Sequence, residues 1–123
     1  MEKEKVVVGL CAARHPLPVN EYIFDEVEDV LDFSSIANRI NQFLVDRVGV
    51  RSASGCGVNQ RDYTDVSLFV GERDLVVYVT GLTSLSTQLV AACACNGVNL
   101  TLMHFNRDTG EYVPQSFSFS NGL

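Results

Sequence analysis

The sequence has few of the features that mark several common classes of protein. Lysine occurs only twice, at Lys3 and Lys5, and fifteen acidic residues outnumber nine basic ones, which gives a net charge of −6. Proteins that coat DNA or RNA need an excess of positive charge to attract the phosphate backbone. The charge balance therefore argues against that class, and we expect no nucleic-acid polymer as a partner.

Long apolar segments and closely spaced cysteine pairs are also missing. The longest apolar run, residues 89–95, is far shorter than the roughly 18 to 20 residues that a membrane-spanning helix needs. None of the four cysteines forms a C-x-x-C pair, which zinc sites and disulfide exchange use. The apolar stretch after residue 5 is too short for a secretion leader. We therefore expect reduced thiols, no metal, no membrane contact and a cytoplasmic protein.

What the sequence does contain is typical of one small globular domain. A chain of 123 residues can bury a core but is too short for two domains, so we expect a single domain over 1–123. Runs of β-branched and aromatic residues predict strands at 6–10, 21–24, 66–70, 75–79, 99–105 and 112–119. The expected fold class is α+β (or α/β), with a mixed sheet of about five to six strands and two helices.

The two helices are predicted from apolar spacing and from residues that favour helix ends. The first covers about 35–47, with Ser34 or Ser35 as its N-cap. The second covers about 83–96 and ends at Gly97, which can adopt the left-handed conformation. Residues 71–74 predict a hairpin turn between the strands at 66–70 and 75–79. Pro114 places the last strand at an edge of the sheet or bends it.

The negative charge is concentrated in one segment. Residues 21–32 hold six carboxylates and no base, so the rest of the chain carries nine acids and nine bases. The spacing does not match a calcium-binding loop of the EF-hand type, which requires a glycine at a fixed position. We expect a solvated acidic face on an otherwise neutral body.

The second helix lies in a stretch without charge. Residues 75–106 contain no Asp, Glu, Lys or Arg, although one residue in five is charged in the whole chain. This helix is apolar around most of its circumference, so it must be covered on more than one side. We expect a second copy of the chain to cover part of it. The alternative is a helix covered entirely by its own sheet and the first helix.

The same stretch contains a candidate ligand site. A predicted strand leads through a Thr-Gly-Leu-Thr turn into the second helix, whose first turn has no acidic residue, so its N–H groups are open to a phosphate. If the flanking strands are parallel, the next strand ends at the same edge of the sheet. There Arg107 can pair with a phosphate, and Asp108 can accept hydrogen bonds from ribose hydroxyls. The candidate ligand-binding residues are Thr80, Gly81, Leu82, Thr83, Asn106, Arg107 and Asp108.

Two plainer interpretations stand beside this site. The turn before the second helix is also what an ordinary helix start looks like, and Asp108 with Gly110 can shape a hairpin turn. Catalysis has weak support, because His15 and His104 are the only histidines and neither stands in a pattern with a nucleophile. We expect His104 to be a core or interface residue. No catalytic residue and no cofactor is predicted.

Three segments together resemble the phage Thoeris anti-defence 1 family. They are VVVGLCAARHPLPVNEYIF, YVTGLT and LTLMHFNRDTGEYVPQ, and they span most of the chain. Proteins of this family sequester the cyclic ADP-ribose-type signals made by bacterial TIR-domain enzymes. The resemblance implies a non-enzymatic binder in the cytoplasm of the infected bacterium, assembled as a homodimer or homohexamer with its ligand at a dimer interface. It also implies that Arg107 and Asp108 contact the nucleotide and that the turn at 80–83 holds its phosphates.

The resemblance extends to a second pocket, in which some members of the family would hold a cyclic oligonucleotide where subunits meet. The segment RSASGCG resembles that pocket, and its candidate residues are Arg51, Ser52, Gly55 and Gly57. The glycines would let backbone amides approach phosphates, whereas the alternative is a plain surface loop. The aromatic residue that stacks on the adenine is not assigned among Phe24, Phe105 and Tyr112.

Two other functions stay open. One is a small α/β phosphodiesterase that degrades a cyclic nucleotide with His15 or His104. The other is an interaction module that binds another protein through the helix without charges.

Overall fold

The part of the chain that the structure describes, residues 4–12, 17–50 and 73–119, forms a five-stranded mixed sheet with two helices on one face. The structure is a computed structural model. In chain order the elements are β1 (Lys5–Cys11), β2 (Tyr22–Phe24), α1 (Phe33–Phe43), β3 (Asp74–Tyr78), α2 (Thr83–Asn96), β4 (Leu100–Asn106) and β5 (Glu111–Phe117). A π-helical segment, Leu44–Val48, continues α1. The predicted α+β class is confirmed.

The strands lie in the order β2-β1-β3-β4-β5. β1 pairs in parallel with β2 and β3, and β3 pairs in parallel with β4. β5 is antiparallel to β4 and forms one edge of the sheet. Pro114 lies in this strand opposite Met103, so the prediction of an edge strand is confirmed.

One predicted connection is wrong. Both sides of β3 are occupied, because residues 75–78 pair with residues 6–9 of β1 on one side and with residues 100–103 of β4 on the other. β3 is therefore a central strand and not the second arm of a hairpin. The strand predicted at 66–70 lies outside the described residues. The pairing of β3 with β1 joins distant parts of the chain, which a local turn pattern does not report.

Alternate strand residues point towards the helices and form the core. Val6 lies beside Leu75, and Leu75 lies beside Leu100, with all three buried. Burying a side chain of this size contributes about 1.5 to 3 kcal/mol. The helices cover this face with apolar residues at helical spacing, and the buried ones include Ile36, Ile40, Phe43, Leu85 and Leu89.

The first helix begins at a side-chain cap, and its π-helical continuation ends at a glycine. Asp32 is the N-cap, and neither Ser34 nor Ser35 is. Its Oδ1 accepts a hydrogen bond from the Ser35 N–H at 3.2 Å, and its Oδ2 accepts one from Ser35 Oγ at 2.9 Å. Asp and Ser are equally good N-caps, so residue type alone does not choose between them. At the other end, Gly49 has a left-handed φ of 84°.

α2 has its predicted bounds and is covered on two sides. Gly97 ends the helix with a left-handed φ of 65°, and its N–H donates to the carbonyl of Cys93. Leu85, Leu89 and Ala92 are buried in the core that the sheet and α1 share. The exposed positions are Thr83, Thr87 and Ala94. The sheet and α1 thus cover the buried apolar residues of α2, while Ala94 is exposed, and contact of the exposed side with a second copy stays a prediction.

Candidate functional site

The carboxyl edge of the parallel strands carries the predicted ligand site. Tyr78, the last residue of β3, lies beside Met103 of β4, and the Val79 N–H donates to the Met103 carbonyl at 3.2 Å. β3 precedes α2 in the chain and β4 follows it. The two strands are parallel, as expected. The turn at 80–83 and the turn that begins at Asn106 therefore leave the sheet at the same edge.

The start of α2 at this edge has no side-chain cap. Its N-cap is Leu82, which has no polar side chain, and the first turn contains no acidic residue. The Leu82 carbonyl accepts hydrogen bonds from the N–H groups of Leu85 and Ser86, both at 3.1 Å. The positive end of the helix dipole therefore has no carboxylate of its own helix beside it. The first turn is thus free of acidic residues, as the sequence indicates, and binding of a phosphate there stays a prediction.

Two residues of the turn before α2 have distinct local roles. Gly81 has a left-handed φ of 87°, and a Cβ added there would meet no atom within 4 Å. The turn therefore needs glycine for its backbone conformation and not for space. The Thr80 hydroxyl oxygen is buried and has no hydrogen-bond partner within the described part of the chain. A buried hydroxyl without a partner costs free energy, about 1 to 3 kcal/mol, that a bound polar group would recover.

The residues after β4 form the hairpin turn that was the plainer alternative. Asn106 Oδ1 accepts a hydrogen bond from the Asp108 N–H at 2.9 Å, and the Asn106 carbonyl accepts one from the Gly110 N–H at 2.8 Å. Gly110 has a left-handed φ of 75°. Asn106 thus shapes the turn and is not free to bind a ligand through the same amide oxygen. Arg107 and Asp108 are exposed at its tip.

A groove that sequence reasoning missed lies beside the start of α2. It has a volume of about 540 Å³. Val30, Leu31 and Phe33 form one wall, and the start of α2, at residues 81–84, 87 and 88, forms the other. Ser84 Oγ donates a 2.6 Å hydrogen bond to the Val30 carbonyl and joins the walls. Phe33 and Leu31 are apolar residues that are 56% and 68% exposed, so this wall offers accessible apolar surface. The lining includes Gly81, Leu82 and Thr83, whereas Asn106, Arg107 and Asp108 are not part of it.

The three unassigned aromatic residues lie in different surroundings. Phe24 is buried in the core at 7% exposure. Phe105 and Tyr112 lie on the sheet face opposite the helices, with ring centroids 5.3 Å apart, and the Tyr112 ring meets Tyr78 edge to face at 4.8 Å. Phe105 is 52% exposed. Of the three, Phe105 presents the most accessible ring at the edge that carries the candidate site.

The acidic segment is solvated, as expected. Asp25, Glu26, Glu28, Asp29 and Asp32 are all exposed, and they line an open hollow of about 580 Å³ together with Arg39. Asp29 and Asp32 bind backbone N–H groups of their own segment, those of Leu31 and Ser35. Within the described residues no group of His, Cys, Asp or Glu is arranged to hold a metal ion. The segment therefore acts as a charged surface beside the groove.

Glu21, at the start of the acidic segment, has its own partner. Arg47 donates two hydrogen bonds to it, at 2.6 and 2.8 Å. The guanidinium hydrogen-bonds the carboxylate and attracts it, which lowers the pKa of Glu21 and raises that of Arg47, although partial burial of Glu21 acts in the opposite direction. Both side chains are more than two-fifths exposed, so solvent screens the pair and its stabilising effect is small.

The remaining residues that the sequence raised are the two histidines, the second-pocket residues and the cysteines. His104 is exposed and not buried, and its Nε2 lies 2.8 Å from Gln115 Oε1 on the neighbouring strand. His15 and the second-pocket residues Arg51, Ser52, Gly55 and Gly57 lie outside the described residues. The expectation of reduced thiols holds for Cys11 and Cys93, which are free and buried, and is wrong for Cys95, which is disulfide-bonded.

Comparisons with known protein families, curated proteins and solved structures give no match to this chain. Neither α1 nor α2, the helices of the described residues, has the length and apolar character needed to span a bilayer.

Proposed function

We propose that the protein binds and sequesters a cyclic ADP-ribose-type signalling nucleotide and releases it chemically unchanged. In this role it is a phage protein that acts in the cytoplasm of the infected bacterium and blocks Thoeris immunity by removing the signal of TIR-domain enzymes. The sequence resemblance to the anti-defence family motivates the proposal. The binding chemistry at the carboxyl edge of the sheet supports it.

The observation that carries the proposal is the shared edge of two features. The uncapped N-terminus of α2 and the Arg107 turn both follow parallel neighbouring strands at that edge. Helix N–H groups and a guanidinium are the donors that proteins use for phosphate oxygens. The diphosphate of a cyclic ADP-ribose-type nucleotide needs such donors at more than one point. The site supplies them from two separate elements.

The rest of the ligand would contact the same edge. The exposed Phe105 ring is available to stack on a purine, and Asp108 is available to accept hydrogen bonds from ribose hydroxyls. Small-molecule sites bury most of their ligand, and this edge is open on one chain. The proposal therefore includes self-association, as a homodimer or homohexamer, that encloses the ligand. Binding of a cyclic oligonucleotide through Arg51, Ser52, Gly55 and Gly57 stays a separate proposal.

The experiment mixes the protein with purified cyclic ADP-ribose isomers, removes free ligand, and then denatures the protein with heat. Recovery of intact ligand in proportion to protein supports sequestration. Recovery of a cleaved product contradicts it and favours the phosphodiesterase. Failure of every isomer to bind contradicts it and favours the interaction module.

A substitution tests the site itself. Arg107→Ala should abolish binding in titration calorimetry, because a charge-assisted pair to phosphate is lost. Arg47→Ala is the matched control: it also removes an exposed arginine, but one that follows α1 at the opposite end of the sheet. Affinity for Arg107→Ala within about twofold of the unsubstituted protein would show that the site is wrongly placed.

A further inference from the structure

An apolar groove and an acidic hollow lie on two sides of one short segment. Seven large apolar residues are exposed in the described part of the chain, and three of them fall within four residues of one another: Val30, Leu31 and Phe33. These three form one wall of the groove beside the start of α2. Asp29 and Asp32, which precede and interrupt them in the chain, line the open hollow beside α1, named here the acidic hollow.

The groove presents apolar surface whose neighbouring hydroxyls already have partners. Ser84 Oγ donates to the Val30 carbonyl at 2.6 Å, and Thr87 Oγ1 donates to the Thr83 carbonyl at 2.8 Å. A partner that covers the groove therefore leaves both hydroxyls satisfied. Clustered apolar surface with a polar rim is typical of sites that bind another protein.

The acidic hollow holds an excess of negative charge. Its lining carries five exposed carboxylates against a single guanidinium, that of Arg39. One N–H of that guanidinium is already used, because Arg39 Nε donates a 2.7 Å hydrogen bond to the Ile23 carbonyl. The ion pairs within the described residues, Arg47 with Glu21 and Arg73 with Glu4, include none of the five carboxylates. The described part of the chain therefore leaves this charge without ion-pair partners.

The charge selects the chemistry of the partner. The hollow repels a nucleic acid and an anionic membrane surface. A second copy would bring the same acidic segment and a net charge of −6. A protein segment with one apolar and one basic face is attracted instead, because its two faces match the groove and the hollow. Amphipathic helices bind apolar grooves in this manner.

We propose that the groove between residues 30–33 and the start of α2 binds a basic amphipathic segment of another protein. Apolar side chains of the partner pack against Leu31 and Phe33, and its lysine or arginine side chains pair with the carboxylates of residues 25–32. The apolar contact supplies most of the affinity, and the charges steer the approach. This interaction goes beyond nucleotide binding. Because the groove shares residues 81–83 with the proposed nucleotide site, the test contains no nucleotide, and either proposal can fail alone.

The test uses a fluorescent helical peptide of about 14 residues, with leucine on one face and lysine on the other. Its anisotropy should rise when the full chain is added, and the dissociation constant should increase with salt because the charges are screened. Two control peptides should bind at least about tenfold more weakly. One has glutamate in place of lysine, and the other has the same composition in an order that gives no apolar face.

A substitution in the groove tests the apolar contact. Leu31→Ser should weaken binding of the lysine peptide about fivefold or more, because it removes the most exposed apolar side chain of the wall. Val113→Ser is the matched control: Val113 is 47% exposed but lies in β5, outside the groove. It should bind like the unsubstituted chain.

Substitutions in the acidic hollow test the charge. Glu26→Gln with Glu28→Gln should weaken binding about threefold or more at low salt and much less at high salt, since two of the five carboxylates are neutralised. Asp46→Asn with Glu111→Gln is the matched control, because it removes the same charge from the end of α1 and the start of β5. It should change the affinity by less than about twofold.

Each other outcome overturns the proposal. If the lysine peptide does not bind, or a control peptide binds equally well, the groove does not recognise a basic amphipathic segment. Equal affinities of Leu31→Ser and Val113→Ser, or of the two double variants, place the peptide elsewhere. Binding of anionic vesicles that Leu31→Ser abolishes would assign the groove to a membrane, and loss of self-association in Leu31→Ser would assign it to a second copy. Circular dichroism establishes that each variant is folded, and Phe33→Ala tests the same wall if Leu31→Ser does not fold.

Discussion

The Ser84 hydroxyl donates a 2.6 Å hydrogen bond to the carbonyl oxygen of Val30. This contact joins the first turn of α2 to the end of the acidic segment. It makes one groove of two elements that are far apart in the chain. Leu31 and Phe33, the apolar residues of the groove, lie directly after this contact in the chain.

Ser84→Ala should lower the free energy of unfolding by about 0.5 to 1.5 kcal/mol, because the Val30 carbonyl loses its protein donor. Urea denaturation measures this difference. Ser86→Ala is the control, since the Ser86 hydroxyl bonds only to Leu82 and Thr83 in the first turn of its own helix. Equal stability of the two variants would contradict a role for the contact.

Gly9→Ala should destabilise the protein by about 1 to 3 kcal/mol through overpacking. A Cβ at this position would lie 2.6 Å from two atoms of the Tyr22 ring and 3.0 Å from Leu17 Cδ1. The same substitution in a Tyr22→Ala background should cost clearly less, because the ring is gone. Equal costs in both backgrounds, measured by thermal or urea unfolding, would show that the ring is not what excludes a side chain.

Cys93 should resist thiol reagents in the folded protein. Burial raises the pKa of its thiol to about 12, and the thiolate is the reactive form. Titration with a disulfide reagent at mildly alkaline pH should count the same number of reactive thiols in the native protein and in native Cys93→Ala. In concentrated urea the variant should count one fewer. A difference already present before unfolding would contradict the burial of Cys93.

The pair of Glu21 and Arg47 should contribute to stability above acidic pH. The pKa of Glu21 is lowered in the folded state from its ordinary value of 4.5, so the contribution is complete above that value and is lost as pH falls through the lowered pKa. Glu21→Gln should therefore flatten the acid side of a stability-against-pH curve. Arg47→Gln should flatten it equally, and the double variant no further. If Glu21→Gln leaves the acid side of the stability curve unchanged, the pair does not contribute to stability.

Local patterns in the sequence determined most of the elements. The β-branched run of β1, the strand of β4, the bounds of α2 and its left-handed Gly97 all follow from side-chain spacing within a few residues. The absence of acids in the first turn of α2 could also be read directly. These features depend on neighbouring residues in the chain, so the sequence contains the whole of their cause.

The tertiary structure alone decided which elements meet. β1 takes the place beside β3 that a hairpin partner would occupy. His104 is exposed in an open hollow between α2 and β5, although the residues before it in β4 alternate as in a buried strand. The contact of Ser84 with Val30 has the same origin. Each depends on pairing and packing between distant segments, for which single-sequence spacing has no signal.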